Sequence, residues 1–402
     1  MTPRSKFAID AVMDVSTRHD AALRTLRQEV RDFCRERLPE DIRAKVLSGR
    51  EPDKEDHLRW QRILSERNWL IGHWPREHGG LGWSRLERWI FENELYRVGS
   101  PWLVPFGVTY VAPILIHFGS PDQQQRWLGP TARSEIWWAQ GYSEPNAGSD
   151  LANIQTAAVL DGDSYVVTGQ KIWTTMAHWA DMMFTLVRTD LSASPQRGIS
   201  FLLIDLRSRG VTIRPIPTID GDHHLNEVFL DEVRVPTGNL AGEPGRGWTY
   251  AKLLLGNERL LAAEIGKSQR MMAQLEHLMK TTAGPDGRPL AANAAWIQRV
   301  TDLGSRMISL EALCYELFLR AEQGRDPGVT ASVLKLIGAE LIQAISLALT
   351  DAVGHVGLAA AYCRGEPSAG IVGQYLYGRA ATIYGGTSEI QRNILAKAAL
   401  GL

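Results

Sequence analysis

The sequence has little that would tie it to metals, membranes or nucleic acid. Its 402 residues hold only three cysteines, Cys34, Cys314 and Cys363, far apart and in no ligand spacing. An odd, scattered set excludes a disulfide framework or a zinc site and reads as reduced, buried thiols of a cytoplasmic protein. Charge of one sign is missing too: 44 Lys and Arg against 45 Asp and Glu leave a formal −1. That balance argues against electrostatic capture of nucleic acid or of an anionic membrane surface. No uninterrupted apolar run approaches the ~18 residues of a membrane span. The opening MTPRSKFAIDAVMDVSTRHD lacks an apolar h-region, so no secretory leader is expected. Repeats and low-complexity tracts are absent, as are the G-x-S-x-G, H-E-x-x-H and Walker patterns. GEPGRGW, from Gly242 to Trp248, departs from G-x-G-x-x-G and has no downstream acid of a dinucleotide fold. DGDHHLNE, from Asp220 to Glu227, invites a metal reading, but adjacent His223 and His224 point apart if extended. A solvated turn, and no metal site, is expected there.

What is present is ordinary globular composition, 44% hydrophobic and 22% charged, in a chain long enough for two or three packed units. Thirteen Trp, an unusually rich set, are expected mostly in the core, with one or two against a ligand. From about residue 18 to 135 the texture is helical: Leu23, Leu26, Val30 and Phe33 form one stripe, and LRWQRILSERNWL and LERWIFENELYRV repeat the spacing. SPDQQQRWLGP reads as a short capped helix. After residue 137, TAAVLDGDSYVVTGQKIWTT, ADMMFTLVRTD, RGISFLLIDL, GVTIRPIPT and NEVFLDEVRVP are β-branched and aromatic runs broken by Gly, Asp and Pro. They predict roughly five to seven strands in a compact antiparallel sheet. Long helical segments return from Gly247, joined by the polar KTTAGPDGRPLAAN. The fold class is therefore mainly α with a middle β domain, divided as 1–136, 137–245 and 246–402.

Three stretches could carry chemistry. Glu258 lies three, four or seven positions from Ala251, Leu254, Leu255, Leu261, Ala262 and Ile265, a single apolar helix stripe. Burial there would raise its pKa and make it a better base near neutrality; from the pattern alone, a structural ion pair with a neighbouring Arg is the slightly favoured reading. YSEPNAGSD, from Tyr142 to Asp150, is a loop of turn formers and hydroxyls that can aim backbone N–H groups at a phosphate or a heterocycle, or simply turn. KIWTT, from Lys171 to Thr175, offers an indole beside two hydroxyls, suited to a flat ring system or to a strand end in the core. In IYGGTSEIQRN, Ser388 with Gln391 forms a capping-box pattern behind the Gly385–Gly386 pair. Such a pair is either a turn or a place where backbone approaches a ligand at a helix N-terminus.

Together YSEPNAGSD, GQKIWTT, EVFLDEVRVP, Glu258–Arg259 and IYGGTSEIQRNI resemble the acyl-CoA dehydrogenase family, in that family's order and over essentially the whole chain. The resemblance implies an N-terminal helical domain, a middle β domain and a C-terminal four-helix bundle. It also implies FAD-dependent α,β-dehydrogenation of an acyl-CoA: a Glu removes the α-proton, flavin N5 takes a hydride from the β-carbon, and a trans-2-enoyl-CoA forms. By matching positions, Tyr142, Ser143 and Ser149 would contact the flavin and its pyrophosphate. Trp173 would pack on the ring, Thr175 would bond near N5, and Thr387 and Glu389 would line the FAD. Arg259 and Gly385 would adjoin the substrate.

Two departures sharpen this. Most members carry Y-E-G-T with Glu as base, where this chain has Tyr384, Gly385, Gly386 and Thr387. A minority, including isovaleryl-CoA and long-chain-type enzymes, place the base at E-R on the earlier helix, which Glu258–Arg259 matches. Family homotetramers also reach a neighbour's cofactor with R-x-x-F-G and with a Gln before Gly-Gly. Here KTTAGPDGRPL replaces the first, while Gly354 stands at the Gln position and Leu358 at the second Gly. That asymmetry resembles the base-bearing subunit of α2β2 steroid side-chain acyl-CoA dehydrogenases. It implies a homologous partner subunit, with a homotetramer or homodimer as the open alternative, a bulky or cyclic acyl group, and an electron-transfer flavoprotein as acceptor. Two other readings stay open: a non-catalytic, partner-dependent subunit, and an oxygen-using flavin oxidase or monooxygenase on the same fold.

Overall fold

The computed structural model describes residues 21–261, 263–325, 329–360 and 367–402, without side chains for 255–261, 356–360 and 367–369. The opening twenty residues, Ala262 and Cys363 lie outside the described residues, as do the side chains of Leu255, Glu258, Arg259, Leu261 and Leu358. Twelve α-helices and seven strands occur among the described residues. The described residues form two compact units: those within 21–52, 83–102 and 258–402 make the first, and 53–82 with 103–257 the second. The boundary falls inside one helix, α7 (Gly247–Leu261), between Asn257 and Glu258.

The first unit is helical. Its members are α1 (Ala21–Arg37), α2 (Glu40–Leu47), α4 (Arg85–Arg97), α8 (Ile265–Thr281), α9 (Ala294–Glu322), α10 (Thr330–Ala360), α11 (Pro367–Tyr377) and α12 (Ser388–Leu395). Apolar stripes of α4, α8, α9 and α10 meet in one core containing Trp89, Met272, Leu275, Cys314, Phe318, Leu334 and Ile345. α10 includes a stretch, Thr330–His355, long and apolar enough by composition to cross a membrane. Its Leu334, Leu341, Ile345 and Ala348 are instead packed into this core. Cys34 and Cys314 are free and buried, as the scattered spacing predicts.

A polar knot runs through this helical core. Glu94 of α4 pairs with Arg27 at 2.9 Å and with Arg31 at 2.7 Å, both on α1. Close by, Gln269 of α8 donates to Glu311 of α9 at 3.4 Å. Burial pushes the Glu311 carboxyl up to about 7; nearby Glu94 adds to the rise, and Arg27 and Arg97 oppose it. The folded chain therefore keeps this proton to near neutrality, while the unfolded chain releases it near 4.5. This contribution to stability is full below about pH 4.5 and is lost as pH rises through about 7. Glu311→Gln, a mimic of the protonated form, is expected to stabilise the chain by roughly 1–3 kcal/mol at pH 8 and to change little at pH 5. Urea unfolding at the two pH values checks it.

The second unit holds α3 (Lys54–Ser65), α5 (Ala112–Phe118), α6 (Pro121–Ala132), the first part of α7 and the sheet. α6 starts with the expected cap, Ser120 and Gln123 exchanging side-chain and backbone bonds. The strands are β1 (Trp138–Gly141), β2 (Ala157–Asp161), β3 (Ser164–Thr175), β4 (Met182–Arg188), β5 (Ile199–Asp205), β6 (Val211–Ile216) and β7 (Leu225–Pro236). β3 pairs antiparallel with β2 and β7, β7 with β6, and β4 with β5. The expected antiparallel sheet is thus mixed, because β4 also runs parallel to β1 and touches the end of β2 in parallel. β4, MMFTLVR, is mostly apolar and buried at every position, as a central strand covered on both faces requires.

Candidate active site

In the second unit, β3 positions the residues. Its pairing with β7 slips between Lys171 and Thr174, a bulge that breaks the alternation of faces. Lys171 and Thr174 are buried, while Trp173 between them takes φ 59° and is 55% exposed. A left-handed backbone at a bulky residue is costly and is retained mainly where its direction matters. Thr175, half-buried, pairs with Leu225, and the Met176 N–H donates to the His224 carbonyl at 2.8 Å.

The YSEPNAGSD loop is tied to the same strand. Ile172 N–H donates to the Ser143 carbonyl at 2.9 Å, and the Lys171 ammonium donates to the Tyr142 carbonyl at 3.3 Å. The Tyr142 ring packs edge-on against Phe184 at 5.8 Å. Tyr142, Ser143, Trp173 and Thr175 are thereby gathered at one end of β3. Ser149 is exposed at the loop tip, farther along. Burial draws the Lys171 ammonium down to about 8 against the pull of Glu144. Burial acts on Glu144 as well, but Lys171 and the Thr156 and Gln155 bonds outweigh it and keep the carboxylate below its ordinary range.

Beside this strand end, Asn226 donates to the Thr174 carbonyl at 3.0 Å and to His178 Nδ1 at 3.1 Å, and its Oδ1 accepts from His223. The His178 and His223 rings stack at 3.8 Å. Burial and the neighbouring His223 push His178 down to about 4, so it is neutral at physiological pH. The expected solvated turn at DGDHHLNE is corrected here. Asp220 and His224 are buried and bonded at 2.9 Å, because the β6–β7 connection folds back instead of staying extended. The donor atoms of Asp220, Asp222 and His224 lie within 4.8 Å of one another, with Asp222 exposed.

In the first unit, Gly385 and Gly386 both take left-handed torsions, φ 65° and 86°. The cap of α12 is Thr387, whose hydroxyl accepts from the Ile390 N–H at 3.2 Å, and not Ser388. Gln391 reaches back to the carbonyls of Gly385 and Gly386, at 3.3 and 3.4 Å, instead of completing a capping box. A Cβ on Gly386 would meet that amide at 2.6 Å. Ser388 Oγ and Gln391 Oε1 are buried with no hydrogen bond among the described residues. Glu389 is exposed, and backbone and Thr387 hydrogen bonds hold its carboxyl below the usual range. Gly385, Thr387 and Glu389 therefore share one turn and one helix start.

Sequence reasoning missed what braces that turn. α10 presents Lys335 and Gln343: the buried ammonium donates to the Ala381 carbonyl at 2.9 Å, and the amide donates to the Gly378 carbonyl at 3.1 Å. Arg379 returns to Ser346 Oγ at 3.1 Å. The available signal was a Lys and a Gln inside the otherwise apolar ASVLKLIGAELIQAISLAL. The Glu258 and Arg259 backbones are helical, in α7. Gly354, inside α10, departs from helical torsions with φ 55° and ψ −147°, a conformation left almost entirely to glycine.

Three family profiles match in sequence: acyl-CoA dehydrogenase N-terminal domain over residues 20–135, middle domain over 139–233 and C-terminal domain over 245–400. The chain is 37% identical to acyl-CoA dehydrogenase IpdE1 of Mycolicibacterium smegmatis, over 94% of this chain and 97% of that one. Among solved structures it resembles the Tcur3481-Tcur3483 steroid ACAD, with TM-score 0.84 and 30% identity over 96% of this chain and 98% of that one. It also resembles the ChsE4-ChsE5 complex from Mycobacterium tuberculosis, with TM-score 0.82 and 29% identity over 95% and 98% of the two chains. The chain belongs to the acyl-CoA dehydrogenase family and is an acyl-CoA dehydrogenase oxidoreductase.

Proposed function

We propose that this chain is the base-bearing subunit of a heteromeric, FAD-dependent acyl-CoA dehydrogenase acting on a bulky, steroid-like acyl-CoA. The observation that carries the reading is Gly385: the turn where most of the family holds its base offers a left-handed glycine with no acid. The base is then Glu258, on an α7 stripe whose described members Ala251 and Leu254 are buried. Its carboxylate takes the α-proton of the thioester. FAD, when bound, supplies the acceptor for the β-hydride, leaving a trans-2-enoyl-CoA.

The donor set fits a flavin. A flat apolar ring needs a flat partner, which the exposed Trp173 indole offers, with Thr175 beside it. Its polar edges and pyrophosphate need hydrogen-bond partners. Tyr142, Ser143 and Ser149 would provide them; the assignment of Thr387 and Glu389 to the cofactor rests on the family match, and the buried Ser388 and Gln391 atoms beside them have no hydrogen bond among the described residues. Arg259 and Gly385 would adjoin the acyl-CoA. A partner subunit is supported by Gly354, whose torsions disfavour a Gln at the position where homotetramers supply one, and by the solved relatives Tcur3481-Tcur3483 and ChsE4-ChsE5, each named for two components. The division 1–136, 137–245 and 246–402, an electron-transfer flavoprotein as acceptor and a cytoplasmic location belong to the same reading; the matched family segments support the division.

Expression alone and with a homologous subunit tests it, reading flavin per chain and desaturation of short, branched and steroid acyl-CoA esters. The expected result is little flavin alone, and one flavin per pair with turnover of the bulky ester in the complex. Stoichiometric FAD and turnover without a partner would sink the heteromer, and a flavin-loaded complex inert on every ester would sink the activity.

A further inference from the structure

The flavin-side loop stands on a buried ion pair that the dehydrogenation chemistry does not use. Lys171 is fully buried, and its ammonium finds three acceptors: Glu144 Oε1 at 2.7 Å, the Leu186 carbonyl of β4 at 2.7 Å and the Tyr142 carbonyl at 3.3 Å. That uses all three donors of a lysine. The Glu144 carboxylate in turn accepts from the backbone N–H groups of Gln155 and Thr156. Both feet of the 142–156 loop therefore rest on one charge pair. Arg188 Nε adds a bond to the Ile154 carbonyl at 3.0 Å. The tip at Gly148, Ser149 and Asp150 is exposed. On β3 the same bulge that turns Lys171 inward turns Trp173 outward, so one irregular segment sets both the loop and the indole.

We propose that Lys171 and Glu144 are positioning residues: their pair holds the loop against the end of β3 in the shape that grips the flavin pyrophosphate. The inference rests on the flavin reading above. A buried ion pair is often replaceable by apolar groups without loss of stability, so stability alone does not account for one here. What an apolar pair cannot do is accept the two N–H groups at the far foot of the loop.

The test uses the complex co-purified with its homologous subunit, as wild type, Glu144→Gln, Lys171→Met and the double variant Lys171→Met/Glu144→Leu. FAD affinity comes from quenching of flavin fluorescence, loop order from limited proteolysis of the FAD-free complex, and folding from the thermal midpoint. The single variants are expected to lose at least tenfold in FAD affinity. The double variant should regain a thermal midpoint close to wild type, yet remain at least tenfold weaker for FAD and be cleaved within residues 142–156. Wild-type FAD affinity, within twofold, together with a protected loop in the folded double variant would overturn the proposal. A wild-type complex that binds no FAD would overturn the flavin reading instead, and the proteolysis result would still decide whether the pair holds the loop.

Discussion

Glu258→Gln in the complex is expected to lower acyl-CoA dehydrogenation by roughly 10²–10⁴-fold, the range a positioned general base supplies. Gln keeps the volume and hydrogen-bonding reach of Glu but cannot accept the α-proton. Flavin content should stay at the wild-type level, because the flavin contacts are assigned to other residues. The measurement is the steady-state rate, paired with bleaching of the flavin band when substrate is added without oxygen. In the variant the band should persist for many wild-type turnover times. Full activity would show that this chain is not the base donor and would return Glu258 to the structural reading its apolar stripe also allows. No second acid waits at Gly385, so partial compensation from that turn is not expected.

The second large effect is on stability. Glu94 is buried and faces two guanidinium groups, Arg27 at 2.9 Å and Arg31 at 2.7 Å. Glu94→Ala removes the carboxylate that buried Arg27 and partly exposed Arg31 both face, and with it a neighbouring charge that helps hold the Glu311 proton. Breaking a buried pair by deleting one partner costs roughly 3–5 kcal/mol. Loss of that size should appear as a lowered urea midpoint for the helical unit. The contrast is Glu40→Ala, whose pair with Arg43 is exposed and loose at 3.4 Å. A surface pair of that kind contributes about 0–1 kcal/mol, so equal losses from the two variants would contradict the account of the buried knot.

Local signals carried much of the fold into the sequence. Ser84 with Glu87, and Ser120 with Gln123, cap α4 and α6 as short-range rules require. The helix–sheet–helix order followed from periodicity. What was not legible depends on distant partners. A strand buried along its whole length, such as β4, reads the same whether its neighbour runs parallel or antiparallel, so the β1 and β2 pairings stayed hidden. At GGTSE both Thr387 and Ser388 can cap, and the choice depends on how far the two left-handed glycines carry the chain. The Asp220–His224 pair needed a turn tight enough to face them. Lys171 sat in plain view in GQKIWTT, but only the bulge shows that it points inward. Gly385 was informative for what it lacks, a point local propensity cannot make.

If the heteromeric reading holds, the torsions of Gly354 bear on how subunit dependence would be inherited. A Cβ built there meets no heavy atom of the described residues within 4 Å, so the bar is backbone conformation, φ 55° with ψ −147°, which a side chain rarely adopts. Restoring a Gln by one codon change would put a side chain on backbone it cannot comfortably adopt. Straightening α10 first, while glycine remains, would bring no cofactor contact for selection to favour. Each step back toward a self-sufficient subunit is then neutral or costly until both are taken. On this geometry, reliance on a second gene product behaves as a ratchet, and the two genes are expected to be lost or transferred together.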